Sequence, residues 1–126
     1  MKKLFAVTIF CLLLLAPVFA TAASFTGSIQ GFACVAQGKT CPIGEEDPMA
    51  AVENVFVLLV DAAKGEYYFL PNVAREALVR HINQEIKVDG TPNQKFKSIK
   101  VNSISVKGKM VWSDDMESKM HKLLSE

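Results

Sequence analysis

The chain is poor in the side chains on which most enzyme chemistry depends. Its 126 residues hold two His, three Cys, one Trp and two Tyr. No Gly-x-Ser-x-Gly, His-Glu-x-x-His or phosphate-cradling glycine loop occurs, which removes the common serine-hydrolase, zinc-protease and nucleotide-binding signatures. Cys-x-x-Cys is missing, and with it the usual redox spacing and the attachment site of covalent haem. A tetrahedral zinc site needs four ligands, and His81 and His121 are the whole supply of imidazoles, so neither a metal nor a cofactor is expected. Charge of either sign is not in excess: 14 basic residues face 13 acidic ones. Nucleic-acid binders concentrate Lys and Arg, so nucleic acid is not an expected partner.

The first thing present is an export signal over residues 1–22. Lys2 and Lys3 make a positive start, Leu4 to Phe19 form an uncharged apolar core, and Ala20-Thr21-Ala22 places small residues where a signal peptidase cuts. A retained anchor is the alternative, since about 20 apolar residues cross a bilayer. Pro17 and the small residues after it favour cleavage. Cys11 lies inside the apolar core, away from any lipidation motif. Loss of Lys2 and Lys3 leaves 12 basic against 13 acidic residues and moves the formal charge from +1 to −1. The expected product is one periplasmic or secreted domain over residues 23–126, with no further membrane span.

Export leaves Cys34 and Cys41 in oxidising surroundings, where a disulfide between them is expected. Gly38-Lys39 supplies a turn that brings the chain back on itself. For so short a ring the chain-entropy model gives roughly 2.5 kcal/mol. A cycling thiol couple or a metal site are the weaker readings of this pair.

Ser24 to Cys34 reads as a strand interrupted by Gly27 and Gly31, as suits a sharp bend or a bulge. Pro42 to Glu53 reads as a surface loop with a short helical turn over Met49 to Val52. Asn54 to Asp61 is a continuous apolar run rich in β-branched residues, the pattern of a strand covered on both sides. Ala62-Ala63-Lys64-Gly65 turns it into Glu66 to Leu70, the second arm of a hairpin. Asn72 is placed to cap a helix whose apolar face is Val73, Ala77, Leu78 and Ile82, with Asn83 as terminator. Glu85 to Asp89 alternates as a half-exposed strand, with Gly90-Thr91-Pro92-Asn93 as its turn. From Phe96 a long strand keeps Ile99 and Val101 in one phase and Ile104 and Val106 in the other, which predicts an inserted residue near Asn102-Ser103. Lys107-Gly108-Lys109 turns again into Met110-Val111-Trp112. Ser113 then caps a terminal helix whose stripe of Met116, Met120, Leu123 and Leu124 is expected to pack on the barrel.

Strand, hairpin, helix, strand and bulged strand is the order of a five-stranded OB-like barrel, mainly β, with a helix between strands three and four and a further helix at the C-terminus. Gly65 to Leu70, Glu85 to Thr91 and Ile99 to Ile104 resemble the small exported bacterial proteins with OB-like barrels, mostly of unknown function. That resemblance implies the fold and carries over no catalytic residue.

Barrels of this kind stack ligands on aromatics of strands two and three, which makes Tyr67, Tyr68 and Phe69 candidate ligand contacts. Alternation sends Tyr68 to the face opposite Tyr67 and Phe69, so at least one ring lies outside the core. Trp112 is either a partner anchor or the plug joining the terminal helix to the barrel. Glu45-Glu46-Asp47 lacks the ligand spacing of a calcium loop and reads as solvated. His81 and His121 read as helix-surface residues. The expected function is an exported binding or accessory module of the bacterial envelope, whose partner is another envelope protein or a small ligand. The alternatives are a small periplasmic enzyme or a thiol redox protein using Cys34 and Cys41.

Overall fold

A computed structural model describes residues 22–126. The expected export signal, Ala22 excepted, and Cys11 lie outside the described residues. The chain is mainly β. In order it forms β1 (Ala23–Gly31), α1 (Phe32–Ala36), α2 (Glu46–Val52), β2 (Phe56–Asp61), β3 (Glu66–Phe69), α3 (Arg75–Val79), β4 (Glu85–Asn93), β5 (Ser98–Val106), β6 (Lys109–Ser113) and α4 (Asp114–Leu124). The strands make one sheet in the order β3-β2-β1-β4-β5-β6, each antiparallel to its neighbour, and β3 also meets β5 in parallel at Phe69 and Ser98. Six strands replace the expected five. Lys107 and Gly108, at φ +51° and +78°, make a tight turn that returns Lys109–Ser113 onto β5 as a strand.

The apolar run of β2 is covered on both sides. Phe56 and Leu58 enter the main core with Ile29, Val88, Ile99 and Val101, while Val57 and Leu59 face a second cluster with Val35. The inserted residue in β5 is Asn102: Asp89 pairs with Ser103, Gly90 with Val101, and Asn102 pairs with neither. That slip lets Ile99, Val101 and Ile104 all reach the same core. Gly27 and Gly90 sit where strands approach most closely, since a Cβ at either would collide with the carbonyl of Leu59 or Lys100.

Several expectations are corrected. β1 stops at Gly31, and Phe32 to Cys34 are helical. β4 runs on through Asn93, because Gly90 to Asn93 pair with Ser98 to Val101 on β5, and the turn falls later, ending at Lys97 with φ +47°. The helix expected to begin after Asn72 shrinks to Arg75–Val79. Asn72 does not cap it: its side chain donates to Val101 O and accepts from Val101 N, both at 2.8 Å, doing the work of a strand neighbour. Val73, Leu78 and Ile82 are nonetheless buried, and Asn83 ends the segment at φ +65°. Ser113 caps α4 as expected, accepting from Met116 N at 3.1 Å. The stripe of α4 does not pack on the sheet: Met116, Met120, Leu123 and Leu124 are all exposed. No helix among the described residues is long and apolar enough to cross a membrane.

Candidate functional site

Alternation along β3 divides its three rings. Tyr68 is buried in the main core beside Phe25, ring centroids 5.3 Å apart, with its hydroxyl donating to Glu66 at 3.2 Å and accepting from Gln94 at 3.3 Å. Tyr67 and Phe69 face the other way and stand edge to face at 5.7 Å. Phe32 of α1 lies 5.4 Å from Phe69 and 6.0 Å from Tyr67, completing a half-buried trio over buried Val35, Val57 and Leu59. Lys97, at the end of the β4–β5 turn, puts its ammonium 4.6 Å above the Tyr67 ring, within cation–π range.

Of the four rings singled out from the sequence, Tyr67 and Phe69 therefore share one outer face. Tyr68 and Trp112 do not offer theirs. Trp112 is 8% exposed, sits in the core and donates its indole N–H to Glu117 on α4, so it tethers the helix to the sheet. Phe32 was missed because its segment reads as strand; its three-residue spacing from Val35 was the helical signal available.

A polar knot holds α1 in place over this face. Gln30 is 2% exposed; its carbonyl accepts from Cys41 N at 2.6 Å and its amide donates to Ser28 at 3.1 Å and Asn83 at 3.0 Å. The Glu53 carboxylate accepts from Ala33 N at 3.0 Å and Val55 N at 3.1 Å, fastening the start of α1 to the start of β2. Arg75 donates to the carbonyl oxygens of Glu53 and Ala50 and stacks on Phe56, closing the C-terminal end of α2.

Cys34 and Cys41 meet inside the knot. Gly31 N donates to the Cys41 sulfur at 3.1 Å, and the two sulfurs are 2.9 Å apart. A disulfide spans about 2.05 Å, so the expected bond is not shown and the pair stands as two thiols. Burial, then the hydrogen bond and charge of Cys41, then the charge of Glu53, push the Cys34 thiol up to about 11. A thiol held protonated at neutral pH is a poor nucleophile.

The remaining candidates do not converge on a reaction centre. His81 faces Gln84 at 3.0 Å, and His121 is exposed on α4. Glu46 accepts from Asn83 at 3.0 Å, and that bond holds its carboxyl below the usual range. Among the described residues no three His, Cys, Asp or Glu side chains are grouped to hold a metal ion. A groove of about 450 Å³ runs between α3 and α4, lined by Ala77, Arg80, His81, Trp112, Met116 and Met120 among others. Neither a family model, a curated protein nor a solved structure matches the chain.

Proposed function

We propose that the chain is an exported binding module of the bacterial envelope: an OB-like barrel of β1 to β5, with β6 and α4 appended, that receives a small ligand or a segment of another envelope protein on its Phe32–Tyr67–Phe69 face. The observation that carries this reading is the half-buried aromatic trio outside the main core, with a cation seated over one ring. The face of strands two and three, with the loops joining strands one to two and four to five, forms the ligand side of such barrels. Here the trio lies between α1, in the β1–β2 connection, and Lys97, in the β4–β5 turn. The parallel contact of β3 with β5 supports the barrel. Export rests on the Lys2-Lys3 start, the apolar core and the Ala20-Thr21-Ala22 site.

The test is native mass spectrometry of the protein recovered from the envelope of cells expressing the full-length chain. Expected are loss of the first 22 or so residues and a retained ligand or companion that a Tyr67→Ala/Phe69→Ala variant lacks. Equal retention by that variant would sink the binding face. A full-length mass would sink export.

A thiol redox role is the second reading, favoured by the 2.9 Å approach of the sulfurs and opposed by the raised Cys34 pKa. Oxidation in the envelope would make the pair a structural bond, for which a reduction potential below about −300 mV is expected. A markedly higher potential would turn the reading toward redox cycling.

A further inference from the structure

Between Asp89 and Asp114 the chain carries Lys95, Lys97, Lys100, Lys107 and Lys109 and no acidic residue. The first three gather at one end of the sheet. β4 and β5 stay paired out to Asn93 and Ser98, so Gln94 to Lys97 alone form the hairpin tip. The tip is held by its own bonds: the Asn93 side chain accepts from Lys95 N at 3.1 Å, and Lys97, turning at φ +47°, offers its carbonyl to Phe69 N at 2.7 Å. Lys100 follows on the outer face of β5, between buried Ile99 and Val101.

Phe96 stands on this tip 64% exposed, the one aromatic ring among the large apolar side chains that the described residues leave open to water. The Lys95 ammonium lies 5.4 Å from its ring centre, and the Lys97 ammonium 4.6 Å from that of Tyr67. No carboxylate neutralises these charges: the ion pairs among the described residues are Lys87–Asp89 and Lys119–Asp115, and Glu66, the acid on β3, accepts from Tyr68 instead. Shape and charge together say what fits. A projecting hairpin tip offers a peptide no groove, and a small anion held by the lysines would leave Phe96 in water. A bilayer interface closes around an apolar side chain pushed past its headgroups, and an anionic one gains roughly fivefold in binding for each Lys brought near it.

We propose that the Gln94–Lys97 tip docks the protein on an anionic lipid surface, with Phe96 entering the interface and Lys95, Lys97 and Lys100 facing the phosphate headgroups. The contact is peripheral and spans nothing. It goes beyond the ligand reading and does not depend on it, although Lys97, seated over Tyr67, brings the Phe32–Tyr67–Phe69 face close to the membrane.

Co-sedimentation of the processed protein, made from the full-length chain, with two kinds of vesicle tests it: phosphatidylcholine alone, and phosphatidylcholine with about one third phosphatidylglycerol. The expected result is binding to the mixed vesicles only, released by high salt. Affinity is expected to fall at least about tenfold in Lys95→Glu/Lys97→Glu and about fivefold in Phe96→Ala. Circular dichroism is expected to stay unchanged in both variants, since all three side chains are exposed. Phe96→Trp, whose ring favours the interface, is expected to bind at least as tightly as the parent. Absence of binding to the mixed vesicles overturns the proposal, as does equal binding to the neutral ones. Binding that needs the lysines but ignores Phe96→Ala also overturns it, leaving the tip as a site for soluble polyanions. The Tyr67→Ala/Phe69→Ala variant is expected to sediment with the mixed vesicles as the parent does, which keeps a failure of the ligand face distinct from a failure of the tip.

Discussion

The helices α1 and α4 form for opposite reasons. α1 has five residues, no side-chain cap and no charge at either end, yet Val35 is buried and Phe32 is packed against Tyr67 and Phe69. Isolated helices below roughly 12 residues are marginal in water, so α1 owes its existence to the apolar back of β2 and β3 and to Glu53 and Gln30, which bind the backbone N–H groups at and beyond its ends. α4 has eleven residues, a Ser113 cap, acids in its first turn, bases in its last, and a Lys119–Asp115 pair at 2.9 Å. It has every local reason to be helical, and none of its residues is buried. Helix formation and burial are separate achievements: local chemistry secures one without the other in α4, and packing secures both in α1.

The largest way to break the contrast is Trp112→Ala, which removes both a core side chain and the tether to Glu117. A loss of about 3–5 kcal/mol is expected in urea unfolding. If α4 truly adds little to the core, deleting residues 115–126 costs much less than that substitution. Val35→Ala comes next, at roughly 1.5–2.5 kcal/mol for two buried methyl groups and the space they leave, with faster amide exchange confined to α1 and the β2–β3 face. An unchanged melting curve would mean that α1 is an ornament on the sheet. Ser113→Ala is expected to cost about 1 kcal/mol of α4 helicity, visible as reduced far-ultraviolet circular dichroism with the near-ultraviolet signal of the core retained. Loss of both signals together would show that α4 and the sheet unfold as one.

The smallest effect is a pH dependence at Cys34. Its folded-state pKa, about 11, lies above the ordinary 9.0, so the folded chain holds this proton longer than the unfolded one. The stabilising contribution is complete below pH 9 and is lost as pH climbs toward 11. In the reduced protein, Cys34 is accordingly expected to alkylate more slowly than a free cysteine peptide at pH 8 and to approach it only above pH 11. Equal rates at pH 8 would place Cys34 in open water and α1 off the sheet.

Legibility followed the range of the physics. The two-sided burial of β2 was visible because both faces had to be apolar, and the Asn102 bulge because a phase slip of one residue shows in the pattern of Ile99, Val101 and Ile104. Asn72 was misread, since an amide that caps a helix and one that pairs with a distant strand look alike without the strand. Gly90 to Asn93 carries every mark of a turn, and β5 overrides them by pairing along the whole segment. At the candidate site, the division of Tyr68 from Tyr67 and Phe69 followed from alternation, while Phe32 and Lys97 came from parts of the chain that only folding brings near.

By itself, then, the sequence determined what acts within a few residues: the strand periods, the Ser113 cap, the turn at Gly65, and a helix at Asp114–Leu124. The tertiary structure decided everything that depends on which surface finds a neighbour. It turned Trp112 and Tyr68 inward, seated Lys97 over Tyr67, set Cys34 beside Cys41 and left Met116 to Leu124 uncovered. Periodicity states which residues share a face; whether that face meets protein or water is settled by elements far away in the chain.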